Sequence, residues 1–349
     1  MFKNFVPNYQ NLVDAAYNRK PARIPIYDHS IDVSIMERIT NKEFRSFSSK
    51  DIDTFFKHYN NFCKFMGYDA VVFEGCVTHV LPGGGALGGH KPGCISTMDD
   101  FNNYPWHKIK DLYFERFTPS FKALGNQMPE GMKAIGGVGN GVFECVQDLT
   151  GYMDLCYIAV DSPELYTSLF QKVGDVLYDI WQDFLNEFGD TYCVCRFGDD
   201  LGFHSATLLS ETDVKELIVP QYKRIVSAVH DAGKPFLLHS CGAIFNVMDE
   251  IIDVAKINAK HSNEDSIAPF KQWIELYGDK IGNFGGIDTD VLCASSTVEL
   301  VAYVTDIMNI AMNKNGGVAI GSGNSIPNYV DPNRYINAVN IIRAMRGDN

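Results

Sequence analysis

In the stretch FLLHSCGAI, residues 236–244, an apolar run ends in His239, and Cys241 follows two positions later. On an extended backbone, residues i and i+2 point to the same side. An imidazole and a thiol would therefore share one small space. These two groups are the natural ligands of zinc, at about 2.0–2.1 Å and 2.3 Å. A catalytic zinc also needs a third protein ligand and an open position. The competing reading is a hydrogen-bonded core histidine beside a small buried thiol, and spacing alone leaves both open. Cys193 and Cys195 show the same spacing but lie inside an apolar run, which suits core packing. The glycines of PGGGALGG, residues 82–89, lack the Lys-Ser/Thr of a phosphate loop and read as a flexible lid.

Such residues need elements to hold them. Eight short apolar runs have strand character: 23–27, 70–73, 133–138, 191–197, 235–238, 256–259, 281–285 and 317–320. Patterns of helical spacing over 165–188, 213–232 and 298–312 separate several of them. Alternation of this kind implies a parallel sheet with right-handed crossovers. Eight units predict a closed α/β (β/α)8 TIM barrel, with a long excursion after the second strand. An open doubly wound sheet is the alternative, but no G-x-G-x-x-G follows the first strand.

In such a barrel, chemistry sits at the C-terminal strand ends. Those positions carry Asp28 and His29, then Glu74, Cys76 and His79, then Asn140 and Glu144. Asp199, Asp200 and His204 follow, then His239 and Cys241, His261 and Glu264, Asp288, and finally Ser322 and Asn324. An unpaired buried polar group is costly, so a ring of them implies a wet functional cavity. Asp199-Asp200 also suits a helix N-cap.

The 349 residues carry a net charge of −13 and no Lys/Arg block, so nucleic acid and anionic membranes are poor partners. There is no signal peptide pattern and no run of 18 apolar residues. Nine cysteines, irregularly spaced in a long chain, suit free thiols and a cytoplasmic location.

Several segments together resemble the uroporphyrinogen decarboxylase superfamily. They are FGDDLGFHSATLLS (197–210), IVPQYKRIVSAVHDAGKPFLLHSCG (218–242), IGNFGGIDTDVL (281–292) and GSGNSIPNYVDPNRYINAV (321–339). The resemblance implies one (β/α)8 domain over residues 1–349. True decarboxylases use an Arg-rich N-terminal motif for a polycarboxylate. Here ARIPIYDHSIDVSIMER offers Arg23 and Arg38, and places Asp28 and His29 where cations would be needed. An acidic mouth disfavours a polyanion.

The other branch, the corrinoid-dependent methyltransferases, binds zinc through His-x-Cys and a later cysteine. His239 and Cys241 match the first two ligands. The third is absent from GSGNSIP, which has Ser322, Asn324 and Ser325. Glu144, Glu74 and Cys76 are the candidates for the vacancy, with Glu144 favoured. An oxygen ligand in place of sulfur makes zinc a better Lewis acid. The expectation is transfer of methyl from a methoxylated small molecule, an aryl methyl ether by preference, to a cobamide carried on a separate corrinoid-binding protein. That partner would dock at the barrel mouth, near a mobile Gly-rich loop. Asp199, Asp200 and His204 would orient substrate or deliver a proton. Asp28, His29, Glu74, His261 and Asn324 would line the substrate space. The alternatives are methyl transfer from corrinoid to a thiol, decarboxylation of a smaller substrate, and a metal-free binding scaffold. A homodimer is compatible with the sequence.

Overall fold

The computed structural model describes residues 5–44, 51–89 and 91–348. Seven parallel strands lie side by side in chain order. They are β1 (Ala70–Cys76), β2 (Lys133–Gly139), β3 (Tyr192–Gly198), β4 (Phe236–His239), β5 (Ala259–His261), β6 (Gly282–Ile287) and β7 (Val318–Ser322). The fold is α/β and TIM-barrel-like. The expected first strand, residues 23–27, is reduced to one bridge, Ile26 to Ile320. Tyr27 N donates to Ile320 O and Ile320 N to Pro25 O, at 3.1 and 3.0 Å. Pro25 has no N–H with which to extend this pairing.

Between that segment and β1, side chains make the seam. The Tyr68 and Tyr335 hydroxyls both hydrogen-bond Asp28. Arg346 donates to the carbonyls of Ile24 and Gly67, at 3.2 and 2.7 Å. A second strand also departs from expectation: β5 begins at Ala259, where the predicted run over 256–259 ends. Lys256 takes a left-handed conformation, φ 64°, and caps the helical turn Ile251–Ala255, so the chain becomes extended later.

Inside the curled sheet, Ala70, Ile135, Val194, Leu237, Ala259, Phe284 and Ala319 form one apolar cluster with Tyr27. Leu12, Ala15 and Ala16 of the helix Gln10–Ala16 belong to the same cluster and close the N-terminal end. The period of two along each strand then places Glu74, Arg196, His239 and His261 on the inner side, above this apolar floor. The alternation alone gathers these polar side chains at the C-terminal strand ends.

Outside, the helix Pro163–Phe188 starts with proline in its first turn. It buries Leu169, Phe170, Val173, Leu177, Ile180, Trp181 and Phe184. Each such side chain contributes about 1.5–3 kcal/mol on burial. The excursion between β1 and β2 holds the helices Met98–Asn103 and Ile109–Asn126. Its Gly-rich loop is tied down rather than free. Gly85 N and Leu87 N donate to the Asp148 carboxylate, at 2.9 and 3.2 Å, and Ala86 N to the Asp148 carbonyl. Among the described residues, no helix is long and apolar enough to cross a membrane.

The helix Gln10–Ala16, which plugs this end, sets a strict demand where β6 and β7 begin. A Cβ at Gly317 would stand 1.9 Å from the Ala15 carbonyl oxygen, and one at Gly282 2.2 Å from it. Backbone cannot yield as a side-chain tip can. Gly317→Ala is therefore expected to lower the unfolding free energy by roughly 1–3 kcal/mol, the range for overpacking. Urea denaturation checks this; unchanged stability would mean the plug is not seated as described.

Candidate functional site

Three strands end level with one another. Gly198, His239 and His261 are register partners across β3, β4 and β5. Asp199 N donates to His239 O, and Ser240 N to His261 O, at 3.0 and 2.8 Å. Beyond the ladder, the turns after β3 and β4 press together. Gly202 N donates to Cys241 O at 3.2 Å. Gly242 has φ 84°, and a Cβ there would stand 2.2 Å from the Gly202 carbonyl carbon. Only glycine permits both this conformation and this approach. Cys241 N donates to Asp200 Oδ1 at 2.9 Å, so the carboxylate caps the turn that carries the thiol.

The outcome is a convergence of three donor atoms. His239 Nε2 lies 3.5 Å from Cys241 Sγ and 3.6 Å from Asp200 Oδ1. One ligand atom from each of the three residues falls within 4.8 Å of the others. Tetrahedral ligands at about 2.0–2.3 Å from zinc stand about 3.3–3.6 Å apart. The two distances from His239 Nε2 match that spacing, and the N, O and S donors suit a borderline-soft cation.

Burial keeps the nitrogen and sulfur of this set uncharged. Burial, reinforced by the Asp200 charge, pushes the Cys241 thiol up to about 12. Asn324 Nδ2 donates to the sulfur at 3.4 Å, and the Ser262 hydroxyl lies 3.6 Å from it. Burial, the neighbouring His261 and the Arg196 charge hold His239 well below the usual imidazole range, so it is neutral. A neutral imidazole is the form that binds metal.

A second group, His29, His239 and His261, also clusters. It fits a cation poorly. The Arg196 guanidinium hydrogen-bonds His29 Nδ1 and its carbonyl, and His261 bonds His239 through Nδ1 and the Ser322 carbonyl through Nε2. Arg196 also pairs with Glu74 at 2.6 Å and donates to the Tyr27 hydroxyl at 2.9 Å. The His29 ring stacks on His239 with centroids 3.7 Å apart.

Other predicted residues are placed differently. Asp199 is sealed and caps a helix, accepting from Phe143 N and Glu144 N, at 3.0 and 2.7 Å, and from the Tyr222 hydroxyl. Burial raises its carboxyl to about 6. Glu144 bonds Asn140 Nδ2 at 2.7 Å and Asp200 N at 3.3 Å, and joins neither cluster among the described residues. Burial, with Asp199 and Asp200 nearby, holds it well above the usual carboxylate range. Asp28 is taken up by Tyr68, Tyr335 and Ser322 N. His204 is exposed on the turn closed by the Gly202–Thr207 bridge.

Arg196 escaped the sequence reading, although an arginine inside the apolar run YCVCRFG was a visible signal. Ser262 carried no such signal. Beside the site, a cavity of about 290 Å³ is lined by Glu264, Asp288, Asp290, Ser325, Tyr329 and the same Asn324 that bonds Cys241.

The sequence profile described as uroporphyrinogen decarboxylase (URO-D) matches residues 9–345. The chain belongs to the URO-D family. No curated protein matches this URO-D family member significantly. Among solved structures, a methyltransferase from Methanosarcina mazei superposes with a TM-score of 0.69, covering 96% of this chain and 97% of that one at 13% identity. That likeness is one of fold. A glycoside hydrolase family 5 enzyme from Prevotella bryantii B14 covers 99% of this chain and 100% of its own, at 12% identity and a TM-score of 0.46, too low to carry an argument.

Arg196 is buried and its partner Glu74 half-buried, so removing the carboxylate strands the guanidinium and removing the guanidinium leaves the carboxylate partly desolvated. Arg196→Met is expected to cost roughly 3–5 kcal/mol of stability. Adding Glu74→Met should recover part of that loss. Urea unfolding of the single and double variants measures the coupling; strict additivity would disprove it.

Proposed function

We propose that this chain is a corrinoid-dependent methyltransferase. It moves a methyl group from a methoxylated small molecule, of aryl methyl ether type, to the cobamide of a separate corrinoid-binding protein. The whole chain is read as one (β/α)8 domain in which residues 25–27 stand in for the eighth strand. The observation that carries the reading is the convergence of Asp200, His239 and Cys241, with one ligand atom of each within 4.8 Å of the others. Asp200 is the third ligand of this proposal, in place of Glu144. A zinc ion held there supplies a Lewis acid for the ether oxygen.

The protein groups around it have separable roles. Asn324 Nδ2 and the Ser262 hydroxyl bear on the thiolate and hold it in place. His29 accepts from Arg196 at Nδ1, so its proton stands on Nε2, where it can hydrogen-bond a departing oxygen. The leaving oxygen would keep the electron pair of the broken C–O bond, and the reduced cobamide of the partner would supply the pair for the new bond to the methyl carbon. The carboxylates Glu264, Asp288 and Asp290 in the adjoining cavity oppose a polycarboxylate substrate, which supports this reading over decarboxylation of uroporphyrinogen. Phe203 and Tyr329, 69% and 72% exposed, offer apolar contact for a docking partner at the open end.

Purified protein is expected to hold one zinc per chain. Asp200→Ala and His239→Ala should lose it, while Glu144→Gln keeps it. With cob(I)alamin and a methoxyarene, the absorbance change on cobalt methylation should slow more than about 100-fold in His239→Ala, beyond the usual loss from an outer-shell change. Undiminished transfer by metal-free protein would sink the proposal, as would carbon dioxide release from a small acid without methyl transfer.

A further inference from the structure

The hydrogen bonds of the second histidine cluster can be resolved proton by proton. A backbone carbonyl only accepts. His261 Nε2, 3.0 Å from Ser322 O, therefore donates. A neutral imidazole carries one N–H, so His261 Nδ1 is left as an acceptor. The atom 2.7 Å from it is His239 Nδ1. Two lone pairs facing each other at that distance would repel, so His239 Nδ1 must donate. Its only proton is then accounted for, and Nε2 carries a lone pair towards Cys241 and Asp200.

We propose that His261 is a positioning residue. Anchored on the Ser322 carbonyl, it fixes the His239 proton on Nδ1 and so presents Nε2 as a ligand. The link runs from the end of β7 through β5 to β4, and the level ending of β4 and β5 brings the two rings together. His29 cannot take over, because its Nδ1 is held by Arg196. Its ring instead stacks on His239 and restrains its rotation. An imidazole thus serves where a metal-bound histidine more often meets a carboxylate or carbonyl. The consequence for metal affinity rests on the zinc site proposed above; the proton placement does not.

Two measurements separate these parts. Ring 15N shifts of metal-free, 15N-histidine-labelled protein should show His239 protonated at Nδ1 and His261 at Nε2. A His239 proton on Nε2 would overturn the inference whether or not the protein binds metal. Zinc dissociation constants, read by chelator competition, should rise about 10–100-fold in His261→Leu. His261→Gln should restore most of the affinity, since its amide can both donate to Ser322 O and accept from His239 Nδ1. Wild-type affinity in a folded His261→Leu would also refute the positioning role. A wild-type protein that binds no zinc would count against the proposed function, while the 15N spectrum would still decide the placement of the proton.

Discussion

The level ending of β3, β4 and β5 is the constraint on which the rest depends. Gly198, His239 and His261 share one rung of the sheet. A slip of one residue would turn every inner side chain outward and send His239 into the helical layer. The rung also sets the start of each turn, so that Asp200 reaches back to cap Cys241 N. Backbone pairing thus fixes the distances between groups far apart in sequence.

Register alone would leave these polar groups adrift in an apolar interior. The Arg196–Glu74 pair anchors them. Its guanidinium extends to Tyr27 and His29, and its charge helps hold His29 and His239 in the neutral form, secondary to burial. The carboxylates are divided in a similar way. Asp199 spends both oxygens on a helix start and on Tyr222, whereas Asp200, next in sequence, keeps its side chain 44% exposed and turned to the donor set. Two adjacent residues of one type differ in role because one faces a helix and the other faces the open end.

Much of this was legible in the amino-acid pattern, for identifiable reasons. Apolar runs located all seven strands to within a few residues and added an eighth that is not one, and the family resemblance agrees with the profile over residues 9–345. Residues 23–27 were misjudged because an apolar run does not tell a full ladder from a single bridge beside a proline. The Gly-rich loop looked mobile by composition. Its tether is Asp148, some sixty residues away in sequence, and no local pattern announces it. The same holds for the donor set. His239 and Cys241 are visible as a pair. Asp200 joins them only because two turns cross at Gly202 and Gly242.

The helix Gln10–Ala16 has a consequence beyond packing. By packing against one end of the curled sheet, it leaves the donor set at the opposite end. In the proposed reaction, two reactants of very different size would have to share that end. On the function proposed above, a small donor beside Asn324 would have to be in place before a bulky corrinoid protein covered that end, and the demethylated product would leave only after the cover lifted. The order of events would then be imposed by architecture, with no need for either reactant to sense the other.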